Sequence, residues 1–305
     1  MTAMRDELSS HRAEGVETPS GKWRGSENFP VGSFLIRRDL RVHVHAFYRF
    51  ARNADDVADN PALTADDKIA RLDRMAAILD GASGLDSPAA AVMRQSLLET
   101  GMTAQHCHDV LHAFRLDAVK LRYRDWDDLM SYCSLSAMPV GRFVCDVHGE
   151  SRSVWPANDA LCAALQIINH LQDCKDDYRN LDRVYIPQDA LATSGVTVEA
   201  LGAPRASPAL LVCLHRLAER TERLLGESDA FGVLINDWHL GLEVSVINTL
   251  AHRLTRMLMT RDPLSERVHL SMPAVGALTL CGALTGASRR LGRRLAAASQ
   301  KPRGA

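Results

Sequence analysis

The sequence predicts a single all-α domain, and three observations carry this prediction. Apolar residues recur at the three- and four-residue spacing of a helix through most of the chain after residue 33. Strand-like alternation is nearly absent, and aromatic residues make up only 5% of the chain. Turn-forming residues fall between the helical stretches rather than inside them. With 305 residues and 46% hydrophobic content, the chain can bury a large core.

Eight segments show helical periodicity, and turn signals separate several of them. An Asn-Pro pair at 60–61 ends the first segment, and glycines and a serine at 81–84 follow the second. A Trp-Pro pair at 155–156 precedes the sixth, and a Gly- and Pro-rich stretch at 195–208 precedes the seventh. The predicted helices are Leu40–Asp59, Asp66–Leu79, Pro88–Glu99, Ala104–Lys120, Trp126–His148, Asp159–Tyr178, Pro208–Gly226 and Val233–Thr260.

Both ends of the chain are predicted to lie outside the packed domain at 23–288. Residues 1–22 are polar, lack the apolar segment of a signal peptide, and are predicted to form a flexible tail. Residues 289–305 form a basic tail that is predicted to be flexible and could touch anionic lipid. The uncharged run His269–Ser288 is long enough to span a bilayer, but Pro273 and three glycines interrupt it. We therefore expect a buried helix beside a hydrophobic pocket.

The composition argues against several classes of protein. A formal net charge of −1 gives no basis for nucleic-acid binding. Seven cysteines without a Cys-x-x-Cys pair indicate reduced thiols, and twelve histidines form no metal-ligand set. The predicted location is cytoplasmic, and peripheral contact with the inner face of the membrane is left open.

Two acidic clusters are the most informative feature of the chain. Each places carboxylates four residues apart, so on a helix they lie on one face about one turn apart. The first cluster also precedes a predicted helix end, where each carboxylate costs roughly 0.3–1 kcal/mol unless a cation offsets it. Two such arrangements predict the facing walls of a site for a hard divalent cation, and magnesium prefers oxygen ligands of this kind. The clusters contain Asp55, Asp56 and Asp59 on the first helix, and Asp173 and Asp177 on the second.

A polar stripe leads into each acidic cluster at spacings of three and four residues. The second helix is otherwise apolar, and a buried polar stripe is unfavourable unless its groups find partners. Arg52 in the first stripe has a planar fork that can bind two diphosphate oxygens at once. One stripe alone is more often an ordinary solvated face with an internal Arg–Asp pair, but two matched stripes favour a site. The stripes are Tyr48, Arg52, Asp55 and Asp59, and Gln166, Asn169, Asp173 and Asp177.

These patterns resemble the signatures of the squalene/phytoene synthase family. The stretch at 47–52, Phe-Tyr-Arg-Phe-Ala-Arg, leads into the first acidic cluster and resembles the first signature. The Gln-Ile-Ile-Asn stretch at 166–169, with Arg-Val-Tyr-Ile-Pro at 183–187, resembles the second. Residues 132–141 resemble the helix that lines the substrate site, and the whole resemblance covers about 26–267.

The resemblance implies the helical isoprenoid synthase fold with a central apolar cavity, a magnesium cluster and a prenyl diphosphate substrate. It also implies that Tyr48 and Tyr185 are catalytic, hydrogen-bonding the diphosphate or shuttling a proton, although a buried tyrosine often only satisfies its hydroxyl in a core. The implied metal ligands are Asp55, Asp56, Asp59, Asn169, Asp173 and Asp177. The implied substrate-binding residues are Ser26, Asn28, Phe29, Arg52, Ala137, Val140, Gly141, Val144, Gln166, Asn169 and Arg267. Close helix packing is an equal explanation for Gly141, and a surface salt bridge is the alternative for Arg267.

Within the family, the opening stretch at 21–31 resembles the hopanoid-pathway branch, the hydroxysqualene synthases. Asn28 stands where relatives commonly carry a serine, and Gln172 stands where many carry an arginine, which indicates a reduced need to hold two diphosphates. This branch implies that presqualene diphosphate ionises, rearranges and captures water to give hydroxysqualene, without reduced nicotinamide. It also implies functional coupling to a presqualene diphosphate synthase and a downstream reductase.

Two alternatives stay open at this point. One is head-to-head condensation of two farnesyl diphosphates to presqualene diphosphate or squalene. The other is a non-catalytic assembly protein with the same fold, against which the intact aspartates argue.

Overall fold

The computed structural model describes residues 16–17, 36–83 and 86–299, and its regular structure there is helical. The described part also contains one isolated parallel bridge, between Arg122 and Val184, and short 3₁₀ turns at 152–154 and 198–202. The all-α prediction is therefore confirmed. Along the described chain the α-helices are α1 (Arg38–Asp59), α2 (Ala65–Leu79), α3 (Pro88–Thr100), α4 (Gln105–Val119), α5 (Trp126–Ser136), α6 (Met138–Val147), α7 (Trp155–Leu181), α8 (Gln188–Thr193), α9 (Pro208–Ser228), α10 (Phe231–Leu234), α11 (Trp238–Leu258) and α12 (Met272–Ser299).

Local chemistry sets many of the helix boundaries. Thr64 and Asp67 bond each other's backbone N–H at the start of α2, a reciprocal capping box. Gly101 ends α3 in the left-handed conformation, with φ of 68°, which glycine adopts without a steric penalty. Each side-chain cap stabilises its helix by about 1 kcal/mol. Further side-chain caps are Ser87 for α3, Asp125 for α5, Ser207 for α9 and Asp237 for α11.

Three predicted features differ from the structure by more than a shift of one to three residues at a helix end. The predicted helix Trp126–His148 is split at Ala137, because Pro139 occupies the first turn of α6 and cannot continue a preceding helix. The predicted helix Val233–Thr260 is split between α10 and α11, where Asp237 caps the second of them. The Trp-Pro pair at 155–156 was expected to precede a helix that begins at Asp159. Instead the pair forms the first turn of α7, a position where proline fits.

Helices α1, α7 and α11 begin at one end of the molecule. The Glu150 carboxylate, just before α7, accepts hydrogen bonds from the backbone N–H groups of Asn236 and Asp237 at 2.7 to 3.0 Å. The Arg37 guanidinium, just before α1, lies 4.0 Å from the Asp237 carboxylate. At 1.5 Å per residue, Asp55 lies about 26 Å along α1, and the second acidic pair begins about 27 Å along α7. Both acidic pairs are thus placed far from this end.

The N-terminal residues that the structure describes rest on α3. Val16 is buried, and its N–H donates to the Asp86 carbonyl at 3.0 Å. Glu17 accepts hydrogen bonds from the Ser87 hydroxyl and the Ala89 N–H. These two residues of the predicted flexible tail are therefore packed, while the rest of 1–22 lies outside the described residues.

The C-terminal helix differs from the expectation in two ways. Arg290 is buried and donates to backbone carbonyls of 232–237, so the helix continues to Ser299 where a flexible basic tail was expected. The prediction of a buried helix over His269–Ser288 is wrong, because α12 packs one side on α11 and exposes large apolar side chains on the other. No helix in the described chain is long and apolar enough to cross a membrane. The exposed apolar side chains of α12 are Met272, Leu280, Leu284, Leu291 and Leu295.

Close packing of α6 on α7 depends on Gly141. A methyl group at this position would lie 2.0 Å from the Asn158 amide oxygen and 2.6 Å from the Cys162 sulfur. We expect Gly141→Ala to lower the free energy of unfolding by about 1–3 kcal/mol, because α6 must move away from α7. Chemical denaturation measures the change. Gly292→Ala is the control, since a methyl group there meets no atom within 4 Å, and equal stability of the two variants would contradict the packing argument.

Candidate active site

A cavity of about 410 Å³ lies among α1, α4, α6, α7, α10 and α11. Tyr48, Arg52 and Asp55 of α1 contribute polar groups to its lining, but most of the other lining side chains are apolar. Phe47 and Phe143 stack in its wall with ring centroids 4.3 Å apart. Aromatic faces attract cations, so this wall suits a short-lived positive charge as well as a hydrocarbon chain.

The acidic end of α1 is only partly neutralised. The Arg52 guanidinium lies 3.1 Å from the carboxylates of both Asp55 and Asp56. Burial and the negative charge of Asp59 nevertheless raise the pKa of Asp55 to about 7, against the opposing effect of Arg52. This end of the helix therefore holds more negative charge than its own arginine can balance.

The second acidic helix faces the first. Burial and the negative charges of Asp173 and Asp59 together raise the pKa of Asp177 to about 8, against the opposing effect of Arg183. Asp59 belongs to α1 and Asp177 to α7, so the two acidic pairs are close enough to repel each other. A cation placed between them would relieve this repulsion.

Arg183, just after α7, joins the acidic end of α1 to α4. Its guanidinium donates to the Asp59 carboxylate, to the Ala58 carbonyl at 2.8 Å and to the Asp117 carbonyl at 3.0 Å. Only 6% of its side chain is exposed. Because a buried ion pair needs all of its hydrogen bonds satisfied, Arg183 fixes the position of α1 against α4.

Asp117 is hydrogen-bonded to a buried cluster of aromatic side chains beside Arg183. Its two carboxylate oxygens accept hydrogen bonds from the Tyr132 and Tyr185 hydroxyls, each at 2.8 Å. Burial raises the pKa of Asp117 to about 6, although Arg183 and both hydroxyls oppose the rise. The Tyr185 ring stacks on His170 of α7 at 3.5 Å between centroids.

Comparison with known proteins decides the family. A family model described as squalene/phytoene synthase matches residues 23–274. The chain belongs to the squalene/phytoene synthase family. A hydroxysqualene synthase from Rhodopseudomonas palustris is 55% identical over 254 residues, which cover 83% of this chain and 87% of that protein.

Solved structures of the family share the fold. A squalene synthase from Alicyclobacillus acidocaldarius superposes with a TM-score of 0.67 at 28% identity, covering 77% of this chain and 89% of that one. A dehydrosqualene synthase superposes with a TM-score of 0.74 at 20% identity, covering 87% and 93% of the two chains, which supports the fold alone. The expected family and the helical isoprenoid synthase fold are confirmed.

The structure brings only some of the predicted site residues to the cavity. Gln166 hydrogen-bonds His170 at 3.1 Å between its amide nitrogen and the ring, and Ala137 is buried at the junction of α5 and α6. Arg267 is exposed and forms no salt bridge with a described residue. Ser26, Asn28 and Phe29 lie outside the described residues. The predicted residues that line the cavity are Tyr48, Arg52, Asp55, Val140, Gly141 and Val144.

Sequence reasoning gave no role to several buried polar residues. Arg183 lay within a recognised stretch, but its bond to Asp59 spans 124 positions and has no local signal. Asp117 did have a local signal, because it follows the apolar positions Val110 and Ala113 on the same side of α4, where a carboxylate needs a buried partner. Glu243 of α11 also lines the cavity and is buried.

The carboxylates fit a magnesium ion that is shared with a substrate. Among the residues that the structure describes, no three acidic, histidine or cysteine side chains could hold a metal ion by themselves. Magnesium is commonly bound by one or two carboxylates together with water and substrate phosphates, which this arrangement permits. Burial and then the like charges of neighbouring aspartates raise the pKa values of Asp55 and Asp177, so negative charge is unfavourable at these positions and such an ion would offset it. The predicted ligands stay Asp55, Asp56, Asp59, Asn169, Asp173 and Asp177.

Replacing one aspartate on either of the two acidic helices tests the predicted metal site. We expect Asp55→Asn and Asp177→Asn each to lower turnover by about 100-fold or more, because a charge that acts on the leaving diphosphate is lost. Thermal stability should stay near that of the wild type or rise, since like-charge repulsion is relieved. Asp176→Asn is the control and should keep normal turnover, because Asp176 is exposed on α7, the helix that carries Asp177. Near-normal turnover in either test variant would refute the assignment.

Proposed function

We propose that the protein is a magnesium-dependent enzyme that converts presqualene diphosphate to hydroxysqualene. The observation that carries this proposal is the pair of facing acidic helices at one end of an apolar cavity. Such a site suits a substrate with an anionic head and a long hydrocarbon body. The 55% identity to a protein named hydroxysqualene synthase supports this member of the family over others.

The polar end of the site would act on the diphosphate, and the apolar cavity would hold the carbocation. A magnesium ion held by the acidic pairs would neutralise the diphosphate as the carbon–oxygen bond breaks. Arg52 lies at the polar part of the cavity and adds positive charge against the leaving group. The apolar walls exclude bulk water, which limits premature capture of the carbocation while it rearranges. Water then adds to the carbocation and loses a proton to the released diphosphate, which leaves the hydroxyl group, and no side chain forms a covalent bond.

Gln172 supports a site for a single diphosphate. Its side chain is buried and its amide nitrogen donates to the Val268 carbonyl. The position where many family members carry an arginine thus holds a neutral group that is committed to the backbone. This observation favours ionisation of presqualene diphosphate over condensation of two farnesyl diphosphates.

Product analysis tests the proposed reaction. Purified protein with presqualene diphosphate and magnesium is expected to release diphosphate and form hydroxysqualene without reduced nicotinamide, and addition of the reduced cofactor should leave the product unchanged. The same protein is incubated with farnesyl diphosphate in a parallel reaction. Squalene that appears only with the reduced cofactor, or consumption of farnesyl diphosphate alone, would favour the condensing synthase. No consumption of either substrate would favour a non-catalytic assembly protein.

Peripheral contact with a membrane is part of the proposal, because the substrate and the product are lipids. The exposed leucines of α12 lie within an arc of about 60° when plotted at 100° per residue. The sequence after Glu266 contains no acidic residue, and exposed Arg294 lies about 40° beyond the edge of this arc on the same plot. Each basic residue near an anionic bilayer contributes about 1 kcal/mol. In this setting the enzyme would act between a presqualene diphosphate synthase and a reductase.

Vesicle sedimentation tests the membrane contact. We expect the protein to bind vesicles that contain anionic phosphatidylglycerol and not vesicles of phosphatidylcholine alone, because both the leucines and Arg294 contribute. Leu284→Gln combined with Leu291→Gln should weaken binding to the anionic vesicles at least about fivefold, since two apolar contacts are lost. Leu98→Gln, at an equally exposed position on α3, is the control. Equal binding by the two variants would exclude α12 as the contact.

A further inference from the structure

Three tyrosines form one buried group, but only two of them share a carboxylate. The Tyr132 and Tyr185 rings lie 5.4 Å apart, and Tyr123 lies 5.3 and 5.4 Å from them. Tyr132 and Tyr185 donate to opposite oxygens of Asp117 at 2.8 Å. The Tyr123 hydroxyl is buried and has no hydrogen-bond partner among the described residues. The Tyr132 and Tyr185 hydroxyls thus differ from the Tyr123 hydroxyl in being hydrogen-bonded to Asp117, although all three rings pack together.

The carboxylate determines which way these two hydroxyls point. An ionised carboxylate only accepts hydrogen bonds, so each tyrosine proton points toward Asp117. The lone pairs of the Tyr132 and Tyr185 oxygens are then left for each other, because the two hydroxyls also interact, and for further groups beside them. A tyrosine held in this way can accept a hydrogen bond or face a positive charge, but it cannot donate the same proton to a diphosphate oxygen.

The group also spans the two acidic helices. Tyr185 stacks on His170 of α7, which in turn bonds Gln166. On the other side, the Asp117 carbonyl accepts from Arg183, which bonds the Asp59 carboxylate. Because Asp117 is only 4% exposed, solvent does not compete for these bonds. One residue of α4 therefore connects the predicted metal-binding end of α1 with the polar stripe of α7.

We propose that Asp117 is a positioning residue whose carboxylate orients Tyr132 and Tyr185 as hydrogen-bond acceptors, while its backbone carbonyl holds Arg183 against Asp59. The inference rests on the proposed function and deepens it. Tyr185 would then contribute to the step after the diphosphate leaves, where a positive charge or a water molecule needs an acceptor. It would not contribute to the affinity for diphosphate.

Two measurements separate these roles. Turnover is measured with presqualene diphosphate and magnesium, and binding of inorganic diphosphate with magnesium is measured by calorimetry. We expect Tyr185→Phe and Asp117→Asn each to lower kcat about 10- to 100-fold, the range for loss of one placed polar group. Both variants should bind magnesium diphosphate within about twofold of the wild type. Tyr123→Phe is the matched control and should leave both quantities unchanged, because its hydroxyl makes no described hydrogen bond.

A double variant shows whether Asp117 acts through the tyrosine. If it does, Asp117→Asn combined with Tyr185→Phe loses no more kcat than Asp117→Asn alone. Independent losses that multiply would overturn the proposal, as would a fivefold weaker binding of magnesium diphosphate in Tyr185→Phe. If Asp117→Asn does not fold, Tyr132→Phe combined with Tyr185→Phe replaces it, and unchanged kcat in that variant also overturns the proposal. A wild-type protein that forms no hydroxysqualene would instead refute the proposed function.

Discussion

The buried guanidinium of Arg183 is the interaction on which the site depends. It lies among the carboxylates of Asp59, Asp117 and Asp177 and lowers the pKa of the last two. Its hydrogen bonds to the Ala58 and Asp117 carbonyls fix its position against α1 and α4. Removing one partner of a buried ion pair costs about 3–5 kcal/mol, because the other charge stays buried without a partner. Even together with Arg52, this one positive charge cannot balance all of the carboxylates on the two helices, so the acidic end retains an excess of negative charge that protons or a bound cation can offset.

Because the helices run in the same direction, the site has a charged end and an apolar remainder. Because α1, α7 and α11 begin together near Asp237, both acidic pairs lie at the opposite end of their helices. The earlier turns of α1 and α7 form the cavity wall, and there they present apolar side chains such as Phe47 and Leu161. A prenyl diphosphate has the same division between an anionic group and a hydrocarbon. The position of charge along two parallel helices thus orients such a substrate without a specific contact to its chain.

The sequence predicted those parts of the fold and site that depend on residues near one another in the chain. Helical periodicity located both acidic helices, because partners three and four residues apart share a face. It did not predict the break at 235–237, since the groups that stabilise it, Glu150 and Arg290, are more than 50 positions away. Asp117 lies within the apolar pattern of α4, but its hydrogen-bond partners lie 15 and 68 positions along the chain, so the pattern could not predict what the carboxylate binds. Periodicity also could not predict which side of α12 is covered, because that depends on the glycines that fit against α11.

The excess of negative charge also links stability to ligand binding. The pKa values of Asp55 and Asp177 are raised to about 7 and 8, whereas an unfolded aspartate has a pKa of about 3.9. The folded state therefore binds more protons than the unfolded state, so these groups favour folding below the unfolded value and lose that effect as the pH rises through 7 and 8. A cation between α1 and α7 replaces the lost protons and removes the penalty. In the proposed function, the carboxylates that lower the stability of the protein in this range would also be the ones that bind the cation and, through it, the diphosphate.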